Sequence, residues 1–383
     1  MKVATSIVTG KQANADLVTL AVTQAMQKAG ITVANSVLLM LTSEFADKTQ
    51  VAIKAAAKAA NCMLVMGCTA SGIFTEDDWV LDAPAVAVMV FSGDVSLQPS
   101  LHSHSQQPLF TLTAPNAIDS AWLNDGNIRF GGASGDALGQ GDFSVWKNAN
   151  GVTSSTLINN RAEAFFSGVK AAIKASHGLH MLNQAQLITQ VDGFDVVRLN
   201  NTSPLTSLNK AWNGQNKSSE TLPLHLLTAI YADNTEAMVN GNYQLTNIVA
   251  YDVLSASITL AQPLKAGQLL CWGLRDKTAA EADMLLTTHQ LQQELGGKAN
   301  FGLLFSNLAR GPYLYDGVDR DLKTITQQLP NMPLIGFYGN ATIAPLNSDN
   351  QLLSNSAVLC LFAELGTEVD IEVDIDLCET TGR

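Results

Sequence analysis

One stretch of this 383-residue chain is built twice. In residues 37–91 an apolar run, Val37-Leu38-Leu39-Met40-Leu41, reaches a Thr42-Ser43 turn and then a helix-like stretch. Met63-Leu64-Val65-Met66 follows, then the turn Gly67-Cys68-Thr69-Ala70-Ser71-Gly72, and Val86 to Phe91 closes the unit. Residues 301–362 repeat the plan: Leu303-Leu304-Phe305, Ser306-Asn307, a helix-like Leu322 to Leu329, Met332-Pro333-Leu334-Ile335, the turn Gly336-Phe337-Tyr338-Gly339-Asn340-Ala341, and Ala357 to Phe362. Fixed-period repeats mark solenoids, whereas two distant copies point to duplication of one α/β unit whose strand-end turns form related ligand sites. The expected fold is α/β with mixed sheets, in two domains that contain a duplicated strand–helix–strand unit with Gly-rich strand-end turns.

The remaining pattern divides the chain. Asn14 and Asp16 can cap a helix whose Leu17, Leu20, Ala21 and Met26 recur at helical spacing, and Gly30 sits where it would end. Gly93 to Asn116, with Pro99, Pro108 and Pro115, reads as an irregular connection. Strands are expected at 127–130, 143–146 and 152–157, and a helix over 161–176 from Ala164, Phe165, Val169 and Ile173. Ser203-Pro204 is an N-cap followed by Pro at the first helical position. The polar run at 213–219 is the expected boundary between domains 1–218 and 219–365. Beyond it come an Asn240-Gly241 turn, strands at 248–254, 256–260 and 268–273, and a capping box at Thr278 to Glu281 opening a helix to about Leu295. In 366–383, Val369, Ile371, Val373, Ile375 and Leu377 alternate with acidic residues, which predicts an edge strand, with a homodimer contact as one use for its apolar side.

Charge and cysteine usage exclude several classes. A formal net charge of −12 and no Lys/Arg cluster argue against nucleic-acid binding. Cys62, Cys68, Cys271, Cys360 and Cys378 lie mostly in apolar runs with no C-x-x-C pair, as reduced buried thiols of a cytoplasmic protein do. The N-terminus lacks a secretory pattern, and the longest apolar run, Ala83 to Phe91, is far short of the ~20 residues of a membrane span. Walker A, G-x-G-x-x-G, HExxH and G-x-S-x-G motifs are absent from the sequence, so no catalytic residues, metal site or enzyme class are assigned.

Three segments, Met66 to Gly72, Phe130-Gly131-Gly132-Ala133-Ser134-Gly135-Asp136, and Leu304 through Arg310-Gly311 to Gly339, together with Asn355 to Leu359, carry a resemblance. In their order and spacing the chain resembles the FIST (F-box and intracellular signal transduction) family, with an N-terminal and a C-terminal FIST domain. The family often has Gly-Glu where this chain has Gly72-Ile73 and Ala341-Thr342, so no role is carried over for that carboxylate. The resemblance implies a sensory or signalling protein with small molecules such as amino acids as ligands. No length remains for an attached kinase, cyclase, PAS or F-box module, so the expected output passes through a separate signalling partner. Two alternatives accompany it: a haem-binding nitric-oxide sensor, for which His177 and His180 matter, and a protein-interaction scaffold.

The three Gly-rich turns are the site candidates, because small residues at strand ends let a ligand approach and offer backbone N–H groups to a carboxylate or phosphate. The expected ligand set is Gly67, Cys68, Thr69, Ser71, Gly72, Gly132, Ser134, Asp136, Arg310, Gly336, Tyr338 and Asn340, with Arg310 as the counter-ion. The competing reading gives the glycines plain turn duties, makes Arg310 a solvated or bridging residue and leaves Cys68 as packing. His102 and His104 could share a metal, yet no third ligand is apparent near them.

Overall fold

The computed structural model describes residues 1–99, 107–135, 143–148, 160–214, 222–239, 241–346 and 349–365. The expected strand at 152–157, most of the polar boundary run, Asn240, the acidic tail with Cys378, His102, His104 and Asp136 lie outside the described residues.

Among the described residues the strands form four sheets. The first runs Lys2–Thr9, Ala85–Ser92, Ser36–Thr42, Val65–Ala70, Val145–Asn148. The second runs Asp349–Leu353, Ala341–Leu346, Arg129–Ala133, Leu109–Thr113, Arg161–Ser167, Ser96–Pro99. The third runs Val169–Ser176, Ala357–Glu364, Phe301–Asn307, Leu334–Gly339, Gly72–Thr75, Trp79–Leu81. In the fourth, Leu269–Arg275 pairs with Gln186–Asp192 on one side and with Leu227–Ala232 on the other. Asp195–Leu199, Ile258–Leu260 and Gln244–Tyr251 complete the ring, so six strands close into a barrel, and a seventh, Leu179–Met181, pairs with the end of Leu269–Arg275 beside Gln186–Asp192. The helix Pro204–Asn213 plugs it, placing Leu205, Leu208 and Trp212 among Ile188, Ile258 and Trp272.

Period-two alternation decides the layering. In Ser36–Thr42, Leu38 and Met40 face one core while Val37, Leu39 and Leu41 face the helices Ala15–Ala29 and Thr49–Ala60. In Ala357–Glu364, Val358, Cys360 and Phe362 face that same central core while Leu359 and Leu361 face the helices Lys277–Leu295 and Arg320–Gln328. The first and third sheets are therefore the inner layers of an α/β/β/α stack, and the second sheet contributes Phe110, Phe130 and Phe166 to the shared interior. The mixed α/β class expected from sequence is the class observed.

The two similar segments share a pairing scheme. Ser36–Thr42 is parallel to Val65–Ala70 and antiparallel to Ala85–Ser92, as Phe301–Asn307 is to Leu334–Gly339 and to Ala357–Glu364. Each then sends its chain into another sheet: Gly72–Thr75 pairs with Leu334–Gly339, and Ala341–Leu346 pairs with Arg129–Ala133.

Local signals fixed the helices well. Asn14 Oδ1 accepts from Leu17 N at 2.9 Å, and Gly30 closes that helix at φ 63°. The predicted helix over 161–176 is instead two strands, Arg161–Ser167 and Val169–Ser176, broken at Gly168 (φ 75°). Ala162, Ala164 and Phe166 are buried in alternation, so tertiary pairing overrides a composition rich in Ala and Lys. The connection expected at 93–116 contains Ser96–Pro99 and Leu109–Thr113, the latter interior to the second sheet. The helix assigned to the Thr278 box starts two residues earlier, because Asp276 Oδ1 accepts from Thr278 N and Ala279 N.

Candidate functional site

The site is built where Ser36–Thr42 and Val65–Ala70 end side by side, with Thr42 opposite Ala70. Gly67 has no room for a side chain: a Cβ there would sit 1.7 Å from Leu39 O and 2.8 Å from the Trp146 ring. Gly336 repeats this against Leu304 O (1.8 Å) and the Phe74 ring (2.5 Å). In both units the glycine lets an aromatic ring approach a parallel strand closely, so these two residues and Gly72, pressed by Val80 O at 2.7 Å, serve packing. Gly132 is similarly covered by Phe337 at 3.0 Å.

Beyond the strand ends the three turns meet. Ala133 pairs with Ala341, and Asn340 N donates to Ala133 O at 3.2 Å. The point where a Cβ would stand on Gly135 is 2.7 Å from Asn340 Oδ1 and 3.1 Å from Ser71 Oγ. Ser71 and Ser134 are 3% and 0% exposed, and neither hydroxyl has a hydrogen-bond partner among the described residues. A third unpartnered buried atom, Glu44 Oε2, belongs to the turn Ser43–Lys48 that follows Ser36–Thr42. That turn is tied to the second strand end through Ser144, whose Oγ donates to Ala46 O (3.4 Å) and whose carbonyl accepts from Thr69 N (2.9 Å). Buried hydroxyls and carboxylates left without partners are rare enough to mark places that water, an ion or a ligand completes.

The other expected site residues fall elsewhere. Cys68 points into the central core with Sγ 3.8 Å from Met40 Sδ, and burial pushes its thiol far above the usual range, so it is no nucleophile. Thr69 Oγ1 accepts from Ser144 N at 3.0 Å. Backbone N–H groups expected to await an anion are engaged: Thr69 N on Ser144 O, Ser134 N on Thr113 O and Asn340 N on Ala133 O. Tyr338 lies on the helix-facing side, where its hydroxyl donates to Asp319 Oδ2.

Arg310, 1% exposed, is placed away from the turns. Its Nε donates to Asp321 Oδ2 at 2.7 Å and its Nη2 to Ser176 Oγ at 2.7 Å and Ala280 O at 3.2 Å, while Nη1 donates to Ser176 O. This guanidinium binds the strand Val169–Ser176 to both outer helices, which corrects its expected role as a ligand counter-ion. Around it Tyr315 Oη donates to Asp321 Oδ1 (2.6 Å), and Asp319 Oδ1 caps its helix at Leu322 N (2.9 Å). Burial, with Asp321 close by, raises the Asp319 carboxyl to about 6. His177 shares a hydrogen bond between Nδ1 and Ser356 Oγ (3.0 Å) and packs tilted against Tyr243 at 4.8 Å, and burial lowers it to about 4. Its Nε2 is buried without a partner among the described residues, whereas His180 is exposed.

Sequence reasoning missed Glu44, Asp319, Asp321 and His177's buried position. Asp319 had a readable signal, an Asp three residues before Leu322 at the start of an amphipathic run; Glu44 had none. Among the described residues no group of three or more His, Cys, Asp and Glu could hold a metal ion, and no helix is long and apolar enough to cross a membrane.

Comparison with known proteins agrees with the C-terminal half of this picture. An uncharacterized protein of Mycobacterium bovis is 22% identical over 332 residues, covering 78% of this chain and 83% of its own. An uncharacterized protein of Mycobacterium tuberculosis is 24% identical over 332 residues, covering 78% of this chain and 84% of its own. The FIST C domain family model matches residues 207–345, a span that takes in the last four barrel strands, the helix Lys277–Leu295 and the strands to Ala341–Leu346. FIST domains are associated with signal transduction and small-ligand sensing. Over residues 207–345 the chain is thus similar to the FIST C domain family.

Proposed function

We propose that this chain is a sensory protein that binds a small ligand, an amino acid or another small anion, where the turns after Val65–Ala70, Arg129–Ala133 and Leu334–Gly339 meet, and that it performs no catalysis there. The observation that carries this reading is the pair of buried, unpartnered hydroxyls of Ser71 and Ser134 on two different turns. Their two O–H groups can donate to a carboxylate, and Asn340 Oδ1 beside Gly135 and Glu44 Oε2 at the neighbouring strand end offer acceptors to an ammonium. An amino acid uses both. The output then passes to a separate signalling protein in a cytoplasmic setting.

The test is a thermal-shift screen of amino acids and small carboxylates, followed by calorimetry on the best hit. A neutral hydrogen bond is worth about 0.5–1.5 kcal/mol, so Ser71→Ala and Ser134→Ala should each weaken binding by roughly three- to tenfold. Affinity unchanged in both variants sinks the site. A Soret band on the purified protein replaces this reading with the haem sensor, and partner co-purification without any ligand shift replaces it with the scaffold.

A further inference from the structure

A cavity of about 190 Å³ lies between the barrel and the edge strand Asp349–Leu353 of the second sheet. Its barrel wall carries Tyr231, Gln244 and Gln262, and Leu123, Leu245 and Leu353 supply apolar sides. Tyr231 and Gln244 are directly opposed across an antiparallel pair, which fixes their separation. The Tyr231 hydroxyl contacts the Gln244 amide at 2.5 Å and the Gln262 amide at 3.2 Å.

With both Oε1 atoms turned to Tyr231 Oη, one phenol proton is shared in a weak bifurcated bond. The oxygen and nitrogen of a glutamine amide are interchangeable by a flip, and turning one amide so that its NH₂ donates to the phenol oxygen gives two full bonds in place of a shared one. Length decides which. At 2.5 Å the Gln244 contact fits O–H···O and is too short for N–H···O, whereas 3.2 Å fits N–H···O. Tyr231 therefore donates to Gln244 Oε1 and accepts from Gln262 Nε2. Burial raises the phenol to about 12, so the proton stays on it at neutral pH and the arrangement is fixed. Gln244 is left with its NH₂, and Gln262 with its C=O, as the polar groups to offer a ligand in this cleft.

We propose that this cleft is a separate binding site for a small planar ligand carrying a carbonyl and an N–H side by side, as in a lactam, a cyclic imide or a pyrimidine edge. The ligand carbonyl accepts from Gln244 Nε2, and its N–H donates to Gln262 Oε1. The cavity is smaller than the ~300 Å³ at which drug-sized pockets begin, which limits the ligand to about one ring.

Hydantoin, 2-pyrrolidone and N-methyl-2-pyrrolidone, titrated into the full chain, test this through the side-chain amide NMR signals of Gln244 and Gln262. Hydantoin and 2-pyrrolidone should shift both signals and saturate below ~10 mM, with the N-methylated compound at least tenfold weaker because it has no N–H to give. Gln262→Met, at an exposed position where folding is safe, should abolish the preference for the unmethylated lactam, and Tyr231→Phe should reduce it by releasing both amides. Equal response to the methylated and unmethylated lactams, or no movement of either glutamine signal with any probe, overturns the proposal.

Discussion

Arg310 and Asp321, each 1% exposed, form a buried ion pair whose remaining lone pairs and protons are nearly all used by Ser176, Ala280 and Tyr315. Removing one member of such a pair leaves the other charged and unpaired, which costs about 3–5 kcal/mol, whereas replacing both by apolar groups can be close to neutral. Arg310→Ala should therefore lower unfolding free energy by about that amount in urea melts, and Arg310→Met with Asp321→Leu should recover much of it. A single variant that melts like the parent would show that the pair contributes nothing. Two neighbours tilt the pH profile in opposite senses. Asp319, raised to about 6, holds a proton that the unfolded chain releases near 3.9, so its contribution is present at low pH and is lost as pH rises through 6. His177, lowered to about 4, stays neutral when the unfolded chain is already charged, so its contribution is present above about 6.5 and is lost as pH falls towards 4. Between pH 6.5 and 4.5, Asp319→Asn should make stability fall more steeply on acidification and His177→Gln should flatten it, each by about 2 kcal/mol across the window. Parallel profiles for parent and variants would remove both groups from the acid response.

The elements owe their geometry to a few close approaches. At Gly67 and Gly336 a methyl group would overlap a carbonyl oxygen of the adjacent parallel strand, Leu39 O or Leu304 O, and backbone cannot yield as a side-chain tip can. Gly67→Ala or Gly336→Ala should cost more than ~4 kcal/mol or prevent folding. Gly296→Ala, at a left-handed helix end (φ 68°) with open space around it, should cost only about 1 kcal/mol. Thermal melts followed by circular dichroism separate the cases, and a mild effect at Gly67 would contradict the strand packing. These glycines were visible in the sequence as turn residues, but their reason, a ring of Trp146 or Phe74 arriving from a distant strand, was not. The same holds more widely. Helix ends such as Asn14, Gly30 and Ser203 were legible because cap and helix are neighbours in the chain. Residues 161–176 were misread because nothing local announces that Thr113 or Glu364 will pair with them. In the candidate site, Ser71, Ser134 and Asn340 followed from small polar residues at strand ends. Glu44's turn is held at the neighbouring strand end by Ser144, which bonds both Ala46 O and Thr69 Oγ1 from 98 and 75 residues away in sequence.

At the scale of the molecule, strands from either side of the expected boundary near 218 share three of the four sheets. Val169–Ser176 pairs with Ala357–Glu364 at eight positions, Gly72–Thr75 pairs with Leu334–Gly339, and Arg129–Ala133 pairs with Ala341–Leu346. The interior is equally shared: Phe301 stacks on Phe362 at 4.5 Å, and both rings touch Phe166. The α-amino group of Met1 pairs with Glu364 at 3.1 Å. Cutting the chain near 218 into two separately expressed pieces would strip ladder partners and aromatic neighbours from both, exposing unpaired strand edges and the apolar faces behind them. The two-part division in sequence is thus expected not to be a division in stability. The full chain should unfold in urea as one transition seen alike by tryptophan fluorescence and circular dichroism. Residues 1–214 and 222–383 should each aggregate or lack a cooperative melt when made alone, and should assemble when made together. The same interlock places the proposed ligand site on turns from both pieces, Ser71 and Ser134 from one and Asn340 from the other, so ligand binding should appear only in the reassembled pair. A cooperative melt from either fragment alone would show that its core is self-sufficient, and ligand binding by residues 1–214 alone would remove Asn340 from the site.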